Sequence, residues 1–331
     1  MLLTCSVLSG ATEPSDSTMK GVPVPHQPYL KFTTSDSLNR NITYFLSQEP
    51  RTDLPLVVYV QGSGPSSHFF KIGAKVFPNN GHATLADVAR GRSRLLIVEK
   101  PGAIYLSKSD GQSLLSDSLD EFRREHTLPR WEEAIHAALK QVIKLKFAST
   151  DRVLVIGHSE GGLVAAKLSA DFPIITHVAV LAGGGPSQLY DIVWLAESGL
   201  AFQHISEFPL ERANYVFQSW DSILQDSANC DRLFFGHPFV RWHTFLQTST
   251  EEQLLQTHAH IFVAQGTRDN AVSTESFKML RAQLLSKGES ARFDLIDGAD
   301  HSFSFGDANS GHPDGWHEVL DSVITWYLKD K

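Results

Sequence analysis

Short apolar runs rich in β-branched residues recur along this chain, and between them apolar residues return at helical spacing. Tyr29 to Thr33 and Asn41 to Leu46 alternate or are β-branched around a polar stretch containing Ser35-Asp36-Ser37, which predicts an antiparallel hairpin. Leu56 to Val60, Leu95 to Glu99, Arg152 to Ile156, His177 to Leu181, Ala259 to Ala264 and Arg292 to Ile296 are continuous runs, the pattern of strands buried on both faces. Ala83 to Ala89, Trp131 to Lys146, Ser276 to Leu285 and Val319 to Leu328 carry helical periodicity. In the second of these, Trp131, Ala134, Ile135, Ala138, Leu139, Val142 and Leu145 form one apolar stripe. Strands alternating with helices predict an α/β fold, a mostly parallel sheet with helices on both faces.

From Ser187 to His258 the strand rhythm stops. This segment is aromatic (Trp194, Phe202, Trp220, Phe234, Phe235, Phe239, Trp242, Phe245) and too long for a plain crossover. It reads as a helical cap inserted between two halves of a core. The expected division is a tail or signal remnant over 1–25, a core over 26–186 and 259–331, and a cap over 187–258. Such a cap should fold over the carboxyl edge of the sheet, with Phe234, Phe235 and Trp242 the first candidates to face a pocket.

The run Arg152 to Ile156 breaks at Gly157-His158-Ser159-Glu160-Gly161-Gly162, after which apolar residues resume at helical spacing. Strand, Gly-x-Ser-x-Gly, helix is the context of a nucleophile elbow, where a sharp turn lifts a serine hydroxyl clear of the sheet. A serine needs a general base, and an imidazole base needs an acceptor to hold its tautomer. Two later strand ends supply them, Asp269 and His301, in the chain order Ser, Asp, His. Alone, Asp269 could be a helix N-terminal acid and His301 a satisfied loop histidine. Asp300 and Asp297 compete as carboxylates. His258, His260, His312 and His317 read as structural or solvated, and Asp87 with Arg90, and Glu132-Glu133, as exposed helix charges.

At 331 residues the chain has ample core for one large domain with an insertion, and 42% apolar with 20% charged residues describes a soluble globular protein. A formal charge of -8 without a Lys/Arg cluster argues against a nucleic-acid partner or an anionic lipid surface. No apolar run reaches membrane-spanning length. Cys5 and Cys230 are the only cysteines, which excludes a disulfide framework and a Cys-based metal site. Met1 to Ala11 is mostly apolar and Thr12 to Thr18 is polar and Ser-rich. This reads as a signal peptide lacking its basic start, as a lipoprotein-like Leu2-Leu3-Thr4-Cys5, or as a frayed cytoplasmic end; the expectation leans to a periplasmic or secreted protein.

Four motifs, GSGP at Gly62 to Pro65, GHSEGG at Gly157 to Gly162, GTRD at Gly266 to Asp269 and GADHSF at Gly298 to Phe303, resemble the α/β-hydrolase superfamily over everything from about Tyr29 onward. The combination of the first two is most similar to its esterase and serine-aminopeptidase-like branch. The resemblance implies an α/β-hydrolase fold, a triad of Ser159, Asp269 and His301, and no cofactor or metal. The family's usual His-Gly entry to the oxyanion loop is Gln61-Gly62 here. The oxyanion hole would be the backbone N–H groups of Glu160 and Ser63, with Gly64 as a substitute for Ser63. Gly62-Ser63-Gly64 also brushes against a dinucleotide fingerprint but lacks its third glycine.

The expected function is that of a serine hydrolase cleaving a carboxylic ester of a small, partly apolar substrate through an acyl-enzyme. A second reading is an aminopeptidase-like amide hydrolase on the same triad. It would need a carboxylate for the substrate ammonium, and Glu160 is the first candidate, with Glu197, Glu207 and Glu211 behind it. Glu160 could instead pair with Lys100 or an arginine and stiffen the loop. The sequence is also compatible with different chemistry on the same fold, of a haloperoxidase-like or lyase type, and with a non-catalytic ligand-binding protein of this fold.

Overall fold

A computed structural model describes residues 20–106, 116–306 and 315–329. The readings that fall on Met1 to Thr18, with Cys5, and on His312 lie outside the described residues. Nine strands form one sheet in the order Val22–Pro23, Tyr29–Ser35, Asn41–Ser47, Arg94–Val98, Pro55–Val60, Ser149–His158, His177–Leu181, His260–Gly266 and Ala291–Ile296. The first three strands pair antiparallel, and Asn41–Ser47 also runs antiparallel to Arg94–Val98. Every pair from Arg94–Val98 onward is parallel. The expected opening hairpin is therefore present. It gains an edge strand from residues 22–23, and Val24 is buried, so residues 22–24 join the sheet although the sequence placed them in a tail.

The central strands are apolar on both faces because both faces are covered. Leu56, Val58, Val60, Val153 and Val155 pack under the helices Leu128–Lys144, Glu160–Asp171 and Thr274–Ser286. Val57, Tyr59, Leu154 and Ile156 meet His82–Ala89 and Gly315–Lys329 on the other side. Alternation along each strand thus sends successive side chains into two separate apolar layers.

The segment after Leu181 holds the helices Gln188–Glu197, Pro209–Gln225, Phe239–Leu246 and Thr250–Leu254 and a small hairpin, Leu233–Phe234 with His237–Pro238. It has an apolar cluster of its own, with Ile192, Ala196, Phe202, Val216, Ile223, Phe234 and Trp242. An antiparallel bridge between Ser187 and Ser249 closes its neck. Beyond that neck, Thr250–Leu254 packs with the core: Thr250 Oγ1 donates to the Gly183 carbonyl and Leu254 joins the main cluster. Residues 250–258, placed with the cap by sequence, therefore lie against the core. Their apolar spacing is that of any amphipathic turn, so sequence carries no sign of which body they face. The helix Ser116–Glu125 and the hairpin Phe69–Ile72 with Lys75–Pro78 were not anticipated either.

Candidate active site

Ser159 sits between the strand Ser149–His158 and the helix Glu160–Asp171 with φ 56° and ψ −126°, a strained conformation for a residue with a side chain. The turn closes so tightly that a Cβ on Gly157 would stand 1.9 Å from the Gly161 carbonyl oxygen, and one on Gly161 would stand 2.3 Å from that of Val60. No side chain fits at either position. The Ser159 amide donates to the Leu181 carbonyl on the neighbouring strand, which anchors the turn to the sheet.

Asp269 and His301 follow His260–Gly266 and Ala291–Ile296, the two strands beyond His177–Leu181 in the sheet. His301 Nε2 lies 2.9 Å from Ser159 Oγ, and His301 Nδ1 lies 2.8 Å from Asp269 Oδ2. The Asp269 carboxylate also accepts Gln265 Nε2 at 2.7 Å and the amides of Ala271 and Val272 at 2.8 and 2.9 Å. Burial would raise its pKa, but the hydrogen bond and charge of His301 and the two amides outweigh that and hold it below the ordinary carboxylate value. The competing acids serve elsewhere. Asp300 Oδ1 takes the amides of Ser302 and Ser304 and so shapes the His301 loop, while Asp297 accepts Thr267 Oγ1. His158 Nε2 contacts the His301 carbonyl at 2.9 Å; burial and the neighbouring His301 lower His158 to about 4, so it braces that loop as a neutral ring.

The loop after Pro55–Val60 is held in a way the sequence did not disclose. Lys100, 2% exposed, donates through Nζ to the carbonyls of Gly62 and, at 2.8 Å, Gly64, above the Trp131 ring. Gln61, standing where the family usually has histidine, takes Asn80 Nδ2 on its Oε1 and donates to the Ser66 carbonyl at 3.0 Å. The peptide between Gly62 and Ser63 is trans, so turning the Gly62 carbonyl toward Lys100 turns the Ser63 N–H away from it. Gly62 is also where the loop touches Ser159: a Cβ there would stand 3.3 Å from the Ser159 Cβ.

Glu160 is buried, with Oε1 3.0 Å from His126 Nε2 and Oε2 paired to Arg241, a fully buried guanidinium stacked 3.7 Å over the Trp242 ring. Burial, then the charges of Lys100 and Arg241, push His126 well below its usual value, so it donates to Glu160 as a neutral imidazole. The expected pairing of Glu160 with an arginine is thus the arrangement present, and the carboxylate is not open to a substrate ammonium. Arg241, from the inserted segment, and Lys100 were not foreseen in these roles. Their only sequence signal is a cation inside an apolar stretch, for Arg241, or just after a buried strand and its terminal Glu99, for Lys100.

Two cavities meet at Ser159 and Ser63. One, of about 470 Å³, is lined by Tyr59, Asn80, His158, His301 and Trp316 among others. The second, of about 360 Å³, runs beneath the inserted segment and is lined by Ile192, Leu195, Phe235, Arg241 and Trp242 together with Ala271 and Val272. Phe235 and Trp242 face this space as expected. Phe234 does not; it is buried against Phe202 and Trp242. Glu197, Glu207 and Glu211 line neither cavity. His260 stacks on His177 at 4.9 Å and His317 is exposed. Among the described residues no group of three or more His, Cys, Asp or Glu could hold a metal ion, and no helix is long and apolar enough to cross a membrane.

The chain belongs to the alpha/beta hydrolase family, whose sequence profile matches residues 57–314. No curated protein matches it in sequence. Among solved structures it is similar to Est1E from Butyrivibrio proteoclasticus, at 15% identity and a TM-score of 0.56, over 92% of this chain and 100% of that one. It is also similar to Pyrococcus horikoshii acylaminoacyl peptidase, at 13% identity and a TM-score of 0.59, over 93% of this chain but 43% of that one. A puromycin-hydrolyzing peptidase of Mycobacterium tuberculosis matches at 13% identity and a TM-score of 0.57, over 92% of this chain and 40% of that one. At these identities the likeness is one of fold.

Proposed function

We propose that this protein is a serine hydrolase that cleaves a carboxylic ester of a small, partly apolar substrate through an acyl-enzyme. The observation that carries this reading is the continuous line from Ser159 Oγ through His301 to Asp269, opening on two cavities. Ser159 attacks the substrate carbonyl while His301 Nε2 takes its proton and then returns it to the departing alcohol oxygen. Asp269 keeps the proton of His301 on Nδ1 and stabilises the imidazolium. The amides of Ser63 and Glu160 receive the oxyanion. Glu160 is the first residue of its helix, where N–H groups lack intrahelical acceptors. Water then attacks the acyl-enzyme with His301 again as base, releasing the acid and free Ser159.

In this reading the core is 22–186 with 250–329, and the inserted segment between the Ser187 and Ser249 neck is a cap that excludes water from the acyl pocket. An ester is favoured over an amide because its leaving group is better and Glu160 is already paired. The test is a fluorophosphonate label with short-chain p-nitrophenyl esters. The native protein should label and turn over, and Ser159→Ala should do neither while melting cooperatively. Undiminished labelling of Ser159→Ala would end the assignment.

A further inference from the structure

The buried acids near this site are well supplied with partners, with one exception. Glu160 has Arg241 and His126, and Asp269 has His301, Gln265 and two amides. Asp191, in the first turn of Gln188–Glu197, is only 6% exposed. Both of its hydrogen bonds, from Ser276 Oγ at 2.5 Å and the Ser273 amide at 3.2 Å, fall on Oδ1. Among the described residues Oδ2 accepts no hydrogen bond and no Lys, Arg or His forms an ion pair with this carboxylate. Asp191 nevertheless lines the cavity of about 360 Å³ that contains Ser159. A largely buried carboxylate given no cation is costly to keep, and the cavity is where its free oxygen meets solvent. Burial, with the nearby Asp269 charge adding to it, lifts its pKa to about 6 despite the two donors.

We propose that Asp191 is the subsite for a protonated amine on the acyl part of the substrate, which makes the substrate class an amino-acyl ester. This rests on Ser159 as the nucleophile and specifies what its acyl pocket accepts. An ammonium placed against Oδ2 completes a charge-assisted hydrogen bond that the fold leaves open. Ile192, Leu195 and Val272 in the same wall offer apolar surface for the rest of the acyl group. Gly184, at φ +76, comes close on this side: a Cβ there would stand 3.0 Å from Asp191 Oδ2, so the glycine keeps the approach open.

A purely structural Asp191, tying the cap to the helix Thr274–Ser286 through Oδ1, makes a different forecast, and a matched pair of substrates separates the two. L-alanyl and isobutyryl 2-naphthyl esters have the same shape, with an ammonium replacing a methyl. The alanyl ester should be preferred in kcat/KM by about tenfold or more, and Asp191→Asn should bring the ratio to within about threefold of unity. Loss of folded protein or of triad geometry scales both rates together and leaves the ratio intact. A native ratio near unity, or a ratio unmoved by Asp191→Asn, overturns the proposal. The second measurement needs no turnover. Calorimetric titration of Ser159→Ala with L-alaninamide and isobutyramide should show tighter binding of the ammonium compound, lost in the Ser159→Ala, Asp191→Asn double variant. Equal binding also overturns it. Preferential binding of the ammonium compound without turnover of either ester by the native protein upholds Asp191 and refutes the hydrolase reading instead.

Discussion

Replacing Lys100 by methionine should damage turnover far more than substrate binding. Its ammonium donates to two carbonyls of the loop after Pro55–Val60, Gly62 and, at 2.8 Å, Gly64, and it is out of water at 2% exposure. Methionine fills similar space over the Trp131 ring but donates nothing, so the peptide between Gly62 and Ser63 loses what fixes its rotation. If the Ser63 N–H is an oxyanion donor, its misdirection costs up to ~3 kcal/mol of transition-state stabilisation, about 100-fold in kcat. Gln61 still holds the loop at Ser66 and Asn80, so the pocket's outline persists and KM should change by less than about threefold. Stability should move little. Burial drives Lys100 well below its ordinary pKa, so removing the cation relieves a desolvation cost that offsets the two orphaned carbonyls. The assay is steady-state hydrolysis of p-nitrophenyl butyrate with inhibition by a boronic acid that mimics the tetrahedral intermediate. Inhibitor affinity should fall in step with kcat. A kcat within about threefold of native, or a change in KM alone, would refute the link from Lys100 to the oxyanion.

Asp269→Asn should lower kcat by roughly four orders of magnitude, because the amide favours the wrong His301 tautomer; pre-steady-state acylation measured at pH 7 checks this, and a loss under tenfold speaks against it. Arg241→Met strands the Glu160 carboxylate and should cost about 3–5 kcal/mol in urea unfolding, while Arg241→Met with Glu160→Met should recover much of it. Equal losses in the single and double variants would mean the guanidinium acts by packing. The fold should also weaken in mild acid. His82, His158 and His237 are each lowered by burial from 6.5 to about 4, so between those values the unfolded chain binds protons that the folded one refuses. Stability contributed by the neutral rings is present above 6.5 and is lost as pH falls toward 4. Glu99 and Glu132, raised by burial to about 7, and Asp191, raised to about 6, act in the opposite sense, but His68 and His126, also lowered by burial, leave the histidines in excess. The urea midpoint should therefore be lower at pH 5 than at pH 7, and a higher midpoint at pH 5 would contradict the assignment.

Local patterns sufficed for the layered architecture and the chemical groups of the site. The runs at Leu56, Leu95, Arg152, His177, Ala259 and Arg292 are apolar on both faces because both faces are buried, and that requirement is written residue by residue. Ser159, Asp269 and His301 were legible because each follows a strand, and parallel strands deliver their carboxyl ends to one edge wherever the helices pack. Gly157 and Gly161 were legible because a backbone contact at the elbow excludes any side chain.

What tertiary structure alone decided is which charges meet. Nothing local to Lys100 directs it to Gly62 and Gly64, and nothing local to Glu160 selects Arg241 over Lys100; both choices depend on how the inserted helices sit on the sheet. The same holds for Asp191. By sequence it is an ordinary acid in a helix's first turn, yet the packing of that helix on Ser273 and Ser276 buries most of it and leaves one oxygen to the cavity. The inward face of Phe235 and the buried one of Phe234 turn on a two-residue strand that pairs across a tight turn. Periodicity reports whether a residue wants to be buried. Its partner depends on long-range geometry, because the cost of an unpaired charge is met only by a group brought from elsewhere in the chain.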